Sequence, residues 1–429
     1  MKKILALLLA AVMVLGMAAC GKKDEKNPET TGAADAETTG AAENTGAAED
    51  TTGAANVAEV KIGFIFLHDE NSTYDKNFID AANDVKEKLG LSDDQVIFKT
   101  NVPENNACYE AAVDLVDRGC TIIFADSFGH ESFMAQAAKE FPNVQFCHAT
   151  GTTAHTAGLK NLHNAFASIY EGRYLAGIAA GMKLNEMIEA GKFTADEAKM
   201  GYVGAFTYAE VISGYTAFYL GAKSVCPTVT MDVQFTGSWY DEGLEKEAAN
   251  LLIQKGAKLI SQHADSMGAP TACETAGIPN VSYNGSTIKA CPETFIISSR
   301  INWAPYFEYI INSVASGEEI DTDWCGSTAM GSVELSDLNE AVAAAGTADA
   351  IKAAAEKLAS AELHVFDINT FTVDGKKLES YKADVDTDAK FEHETEVVSE
   401  GYFHESEKRA APYFDVMIDG ITTLNSAFG

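Results

Sequence analysis

Gly119-Cys120-Thr121-Ile122-Ile123-Phe124-Ala125-Asp126-Ser127-Phe128-Gly129 decides the fold, because a later stretch repeats its plan. That stretch is Gly256-Ala257-Lys258-Leu259-Ile260-Ser261-Gln262-His263-Ala264-Asp265-Ser266-Met267-Gly268. In each, a helical stretch ends at a basic residue and a glycine. A short apolar run follows, and Asp-Ser-x-Gly leads into the next helix. An apolar run between helical segments reads as a buried parallel strand. Asp-Ser-x-Gly then falls at the carboxyl end of a strand, the edge at which open α/β sheets bind ligands.

Working outward, the first copy sits among strands expected over 61–66, 95–99, 121–125 and 144–148, with helices over 75–89, 105–118 and 131–140. After an irregular passage, a helix over 169–184 opens a second series. It has strands over 200–205, 230–236, 258–262 and 280–283, and helices over 210–224, 241–255 and 268–276. Such alternation predicts an α/β protein of two doubly wound lobes with parallel sheets and a ligand cleft between them. The expected boundaries are 57–165 with about 300–335 for the first lobe and 166–299 for the second. A C-terminal extension, 336–429, packs on both. Within it, 335–363 reads as helical, 366–373 with Asp374-Gly375 as a hairpin, and 414–424 as a final helix.

Strand ends supply the candidate site. Asp126, Ser127, Asp265 and Ser266 face each other across the expected cleft, although Asp and Ser are also ordinary helix N-caps. Asp69 and Tyr74 follow the first strand of the first lobe. Phe206 and Trp239 follow the first two of the second, and Asn284 follows its fourth. Aromatic side chains at a strand end have no core to fill and suit stacking on a flat ligand; Tyr74, Phe128, Phe206 and Trp239 are such platforms. Asp69, Asp126, Asp265 and Asn284 suit hydrogen bonds to hydroxyls or ring nitrogens.

The N-terminus sets the compartment. Lys2 and Lys3 precede an apolar stretch from Ile4 to Met17, too short for an ordinary span, and Ala18-Ala19 lead into Cys20. This is a secretory signal over 1–19. Its end resembles the lipobox of bacterial lipoproteins, in which the cysteine is acylated. From 20 to 56 the chain is acidic and rich in Gly, Ala and Thr, with Thr-Gly-Ala-Ala starting at Thr31, Thr39, Thr45 and Thr52. It lacks the apolar surface to offset ordering and is expected to be a disordered tether. The protein is thus expected outside the cytoplasm, a monomer held at the membrane by lipid alone.

A formal net charge of −32 argues against nucleic-acid or anionic-lipid partners. Eight cysteines include Cys20, and an odd seven remain, without zinc spacing; Cys273 and Cys291 are the one pair suggested as a bridge. No phosphate loop, GxSxG or metal pattern is present, so neither enzyme nor cofactor nor metal is expected.

Phe141-Pro142-Asn143-Val144-Gln145-Phe146 with His148-Ala149-Thr150-Gly151, Tyr170-Glu171-Gly172-Arg173-Tyr174-Leu175-Ala176-Gly177, and Gln262-His263-Ala264-Asp265-Ser266 together resemble the basic membrane lipoprotein family. These are substrate-binding proteins of ABC importers, and the resemblance covers 57–331. It implies a type I periplasmic-binding-protein fold, a permease and a cytoplasmic ATPase as partners, and a purine nucleoside or base as ligand. By the same resemblance Tyr74 matches a stacking position, and Asn284 stands where nucleoside receptors carry aspartate. Gly214 replaces an aromatic residue, so Phe206 or Trp239 must supply the second face. The lysine that the resemblance expects after Ile296-Ile297-Ser298 has Arg300 or no residue in its place. Glu171 and Arg173 read as contacts to hinge or interlobe backbone. The rival readings are a sensing lipoprotein that reports to a membrane kinase and, from the paired carboxylates, a glycoside hydrolase.

Overall fold

A computed structural model describes residues 56–425. The expected signal over 1–19, Cys20 and the tether to residue 55 lie outside the described residues. The first lobe runs β1 (Ile62–Ile65), α1 (Thr73–Leu89), β2 (Val96–Lys99), α2 (Asn106–Asp117), β3 (Ile122–Ala125), α3 (Glu131–Glu140), β4 (Gln145–Ala149), α4 (Thr153–Ala157), β5 (Leu162–Ala167). The chain then crosses through α5 (Ile169–Glu189) into β6 (Lys199–Gly204), α6 (Ala209–Val225), β7 (Thr230–Phe235), α7 (Glu242–Gln254), β8 (Leu259–His263), α8 (Gly268–Ala276), β9 (Asn280–Tyr283) and β10 (Phe295–Ile301).

Local chemistry accounts for these elements. In α1, Ser72 caps the first turn by accepting from the Asp75 N–H, and Gly90 closes the helix in the left-handed conformation. Phe78, Ala81, Ala82 and Val85 recur at helical spacing and are buried. β1, β3 and β5 are buried along their whole length, as strands covered by helices on both faces must be.

Residues 300–335 do not all return to the first lobe, as the sequence had suggested. α9 (Ala304–Ser316) packs into the first lobe's core, and β11 (Asp323–Gly326) pairs with β5. β10, however, stays in the second sheet, and β12 (Val333–Leu335) joins it there, antiparallel. The sheets therefore read β11-β5-β4-β3-β1-β2 and β12-β10-β9-β8-β6-β7-β17, where β17 (Ile421–Thr423) comes from the C-terminus. The orders 5-4-3-1-2 and 10-9-8-6-7 are the same winding twice. The two Asp-Ser turns, after β3 and β8, each sit beside the point where strand order reverses.

Five further expectations are corrected. The irregular passage after His148 contains α4 and β5. His163 and Asn164 disguise β5, yet both are satisfied. His163 contacts the Asp321 carbonyl (3.0 Å) and Gln145 Oε1 (2.8 Å), and Asn164 Oδ1 accepts from Ala154 N (2.8 Å). Within 335–363 the helix α10 is confined to Thr347–Ala359. No strand hairpin forms over 366–373; Val373 bridges only to Lys376 around Asp374-Gly375. The expected final helix is instead β17, parallel to β7. Cys273 and Cys291 are buried free thiols; the other five cysteines among the described residues are free as well, all buried but Cys325.

The extension carries the short strands β13 (Lys382–Ala383), β14 (Thr395–Glu396), β15 (Val398–Ser399) and β16 (Tyr402–Phe403). Phe366, Phe403, Tyr413 and Phe414 join the second lobe's core. On the first lobe, Ala410 N donates to Asp323 Oδ2 (2.6 Å), and His155 Nε2 lies 3.1 Å from the Val385 carbonyl.

Candidate functional site

A pocket lies between the lobes at the strand ends. Leu67 and His68 (after β1), Tyr74 and Asp75 (α1), Ser127 and Phe128 (after β3) and Thr150 (after β4) line it from the first lobe. Glu210 (α6), Trp239 (after β7), His263 and Asp265 (β8 end) and Tyr283 (β9 end) line it from the second. Among the described residues no Lys or Arg lines it.

The aromatic members make a wall. Tyr74 donates its hydroxyl to the Asp126 carbonyl (2.8 Å) and meets Phe78 edge-on. Phe128 stacks across the cleft on Tyr208, with centroids 4.9 Å apart. Trp239 is propped by Phe206 at 5.0 Å, so Trp239 offers the face and Phe206 stands behind it. Direct bonds also cross the cleft, which is therefore closed. Thr73 N and Oγ1 both donate to the Asp265 carbonyl (3.2 Å each), and Asn77 Nδ2 donates to Asn284 Oδ1 (3.2 Å).

Of the ten ligand contacts expected from sequence, Tyr74, Ser127, Phe128, Trp239 and Asp265 line the cavity, while Asp69, Asp126, Phe206, Ser266 and Asn284 do not. Asp69 folds onto its own turn, accepting from Asn71 and Asn101, and these bonds hold its carboxyl below the usual range. Asp126 is fully buried and accepts from Leu67 N (3.1 Å); burial and the neighbouring Asp75 push it well above the ordinary carboxylate range. Burial works on Asp75 in the same direction. Bonds from the His68 and Ser72 groups outweigh it and leave Asp75 lowered, so the two neighbouring carboxyls are pushed in opposite directions. Ser266 accepts from Gly268 N and serves its helix start. Asn284, at φ 64°, joins Asp265 (3.3 Å) to the first-lobe Asn77. Ser127 itself spends its hydroxyl on Glu104 (2.6 Å).

His68, Asp75, Thr150, Glu210, His263 and Tyr283 went unselected in the sequence. His263 precedes the chosen Asp265 by two places at the same strand end, which was a usable signal. Glu210 sits in a helical first turn and carried none. Gly214 now has a reason: a Cβ there would lie 2.9 Å from His263 Nδ1, so the histidine ring takes the space an aromatic side chain would need. Arg300 pairs with Glu334 (2.6 Å) and does not reach the cavity. Glu171 accepts from Thr328 N (2.9 Å) in the β11–β12 crossing, and the fully buried Arg173 donates to the Gln262 carbonyl (2.7 Å).

Residues 62–364 match the family described as Bmp, ABC transporter substrate-binding protein PnrA-like. The chain belongs to this family. Membership implies a small-molecule ligand, action outside the cytoplasm, and a permease and ATPase as partners. A purine-binding protein of Brucella abortus is 33% identical over 59% of this chain and 69% of its own length. A putative ABC transporter glucose-binding protein of Haloferax volcanii is 29% identical over 69% of each. Among solved structures, an ABC transporter solute-binding protein from Aeropyrum pernix superposes with a TM-score of 0.60 at 18% identity, over 72% of this chain and 93% of that one. That likeness carries the two-lobed solute-binding fold. The family is one of ABC transporter substrate-binding proteins. Among the described residues no helix is long and apolar enough to cross a membrane.

Proposed function

We propose that this Bmp-family protein captures a purine nucleoside or base for an ABC importer, as a lipoprotein anchored through Cys20 and spaced from the membrane by residues 20–56. The observation that carries the ligand class is the cavity. Tyr74, Phe128 and Trp239 offer flat apolar faces, acidic and hydroxyl groups surround them, and no cation lines the cavity among the described residues. Stacking favours a planar heterocycle, and the missing cation disfavours a phosphorylated ligand. The similarity to a purine-binding protein points the same way. A sugar is the second reading, because the Haloferax relative is named for glucose and sugars also lie against aromatic rings.

A thermal-shift panel of purine nucleosides, purine bases and glucose decides between them. Purines should raise the melting temperature and glucose should not. Trp239→Ala should weaken purine binding roughly tenfold or more, the range found when a stacking ring is removed from a base. Glucose stabilising the protein while every purine fails would overturn the assignment. For the anchor, Cys20→Ser should abolish palmitate labelling and release the protein from membranes; a labelled, membrane-bound variant contradicts it.

A further inference from the structure

Glu210 and His263 form a polar unit in the second-lobe wall that packing alone does not require. Glu210 is in the first turn of α6, where the helix dipole favours its charge. Its Oε1 lies 3.3 Å from His263 Nε2. Gly214, one turn further along the same helix face, is what lets the His263 ring lie against α6 beneath Glu210. Behind the ring, the Arg173 guanidinium sits 4.2 Å from the Tyr283 ring centre, and the Tyr283 and His263 rings are 4.6 Å apart. Burial holds His263 below its ordinary value, and Arg173 adds to that effect. The ring is therefore neutral and gives its Nε2 proton to Glu210 Oε1. That bond uses only one of the carboxylate's roughly four lone-pair sites, so both oxygens can still accept from the cavity.

Resting on the purine reading above, we propose that Glu210, oriented by His263, reads a paired hydrogen-bond-donor edge of the bound base and so selects guanine-type purines. A carboxylate is acceptor-only and takes two parallel donors best. Guanine presents such a pair, the ring N1–H beside the exocyclic 2-amine. Hypoxanthine keeps N1–H but lacks the amine, so it forms one bond in place of two. Glutamine at 210 would accept from N1–H and turn its own amide donor toward the 2-amine, removing the advantage.

The test is calorimetric titration of the full chain with guanosine and inosine, for wild type and Glu210→Gln. Wild type should bind guanosine about tenfold or more tighter than inosine, the size expected of one hydrogen bond to a charged group. In Glu210→Gln the ratio should fall to near one, chiefly through lost guanosine affinity, while the ligand-free melting temperature shows that the variant is folded. Equal binding of both nucleosides by wild type, or an unchanged ratio in the variant, overturns the role of Glu210 and leaves the purine reading standing. Binding of neither nucleoside overturns the guanine selectivity, and the thermal-shift panel with the other purines and glucose then decides the purine reading separately.

Discussion

Gly221→Val is expected to destabilise the protein by about 3 kcal/mol or more, or to prevent folding. Gly221 lies in α6, and a Cβ there would stand 2.0 Å from the Tyr174 carbonyl oxygen of α5. The contact is reciprocal: a Cβ on Gly177 of α5 would stand 2.1 Å from the Phe218 carbonyl oxygen. Both obstacles are backbone, so no rotamer change relieves them and the helices must separate. Their separation would open the second lobe's core, where Tyr174, Phe218 and Ala222 are buried together. Better helix propensity, worth at most about 1 kcal/mol over glycine, does not offset this. Chemical denaturation reads the outcome, and a variant with the wild-type midpoint would show that the helices do not touch here.

The second large effect is a pH dependence removed by Glu245→Gln. Glu245 is fully buried; Oε1 accepts from Asp241 N and Ser266 N (3.2 Å each), which positions the Asp265-Ser266 turn. Burial pushes its pKa from 4.5 up to about 7. The fold therefore prefers the protonated carboxyl. Below about pH 4.5 both folded and unfolded chains carry the proton, and this stability is fully present. As pH rises to about 7 the unfolded chain releases the proton first, and the contribution is lost. A gap of that size corresponds to on the order of 3 kcal/mol. Melting temperatures between pH 5 and 7.5 should fall less steeply for Glu245→Gln than for wild type. Part of the slope will persist, because buried Glu405 is also pushed to about 7. Parallel curves for variant and wild type would show that Glu245 titrates normally.

The parallel strands were legible because burial on both faces forces apolar runs such as Thr121-Ile122-Ile123-Phe124-Ala125. β5 was not, because His163 and Asn164 spend their polarity on loops that only the folded chain brings near. β17 was missed because its partner β7 lies almost 200 residues upstream, and pairing at such range leaves no local period. At the site, three of the four aromatic platforms expected from sequence, Tyr74, Phe128 and Trp239, come to the cavity, and Phe206 does not. Carboxylates were harder, since an Asp at a strand end serves a ligand or its own backbone equally well. Asp265 faces the cavity, but Asp126 turns inward to Leu67, and composition cannot separate the two. Glu210 and His263 become a pair only when α6 is laid beside β8.

The C-terminal extension is fastened at two places that belong to different sheets. Ala410 holds the edge strand β11 of one, and β17 completes the edge of the other beside β7. Only ten residues separate these fastenings, and Tyr413 and Phe414 among them are buried in the second lobe's core, so the free length between the two lobes is shorter still. Rotation of the two sheets apart can proceed only until that length is taken up, after which a fastening must release. Any opening of the cleft that turns these sheets apart would therefore meet a stop built into the chain.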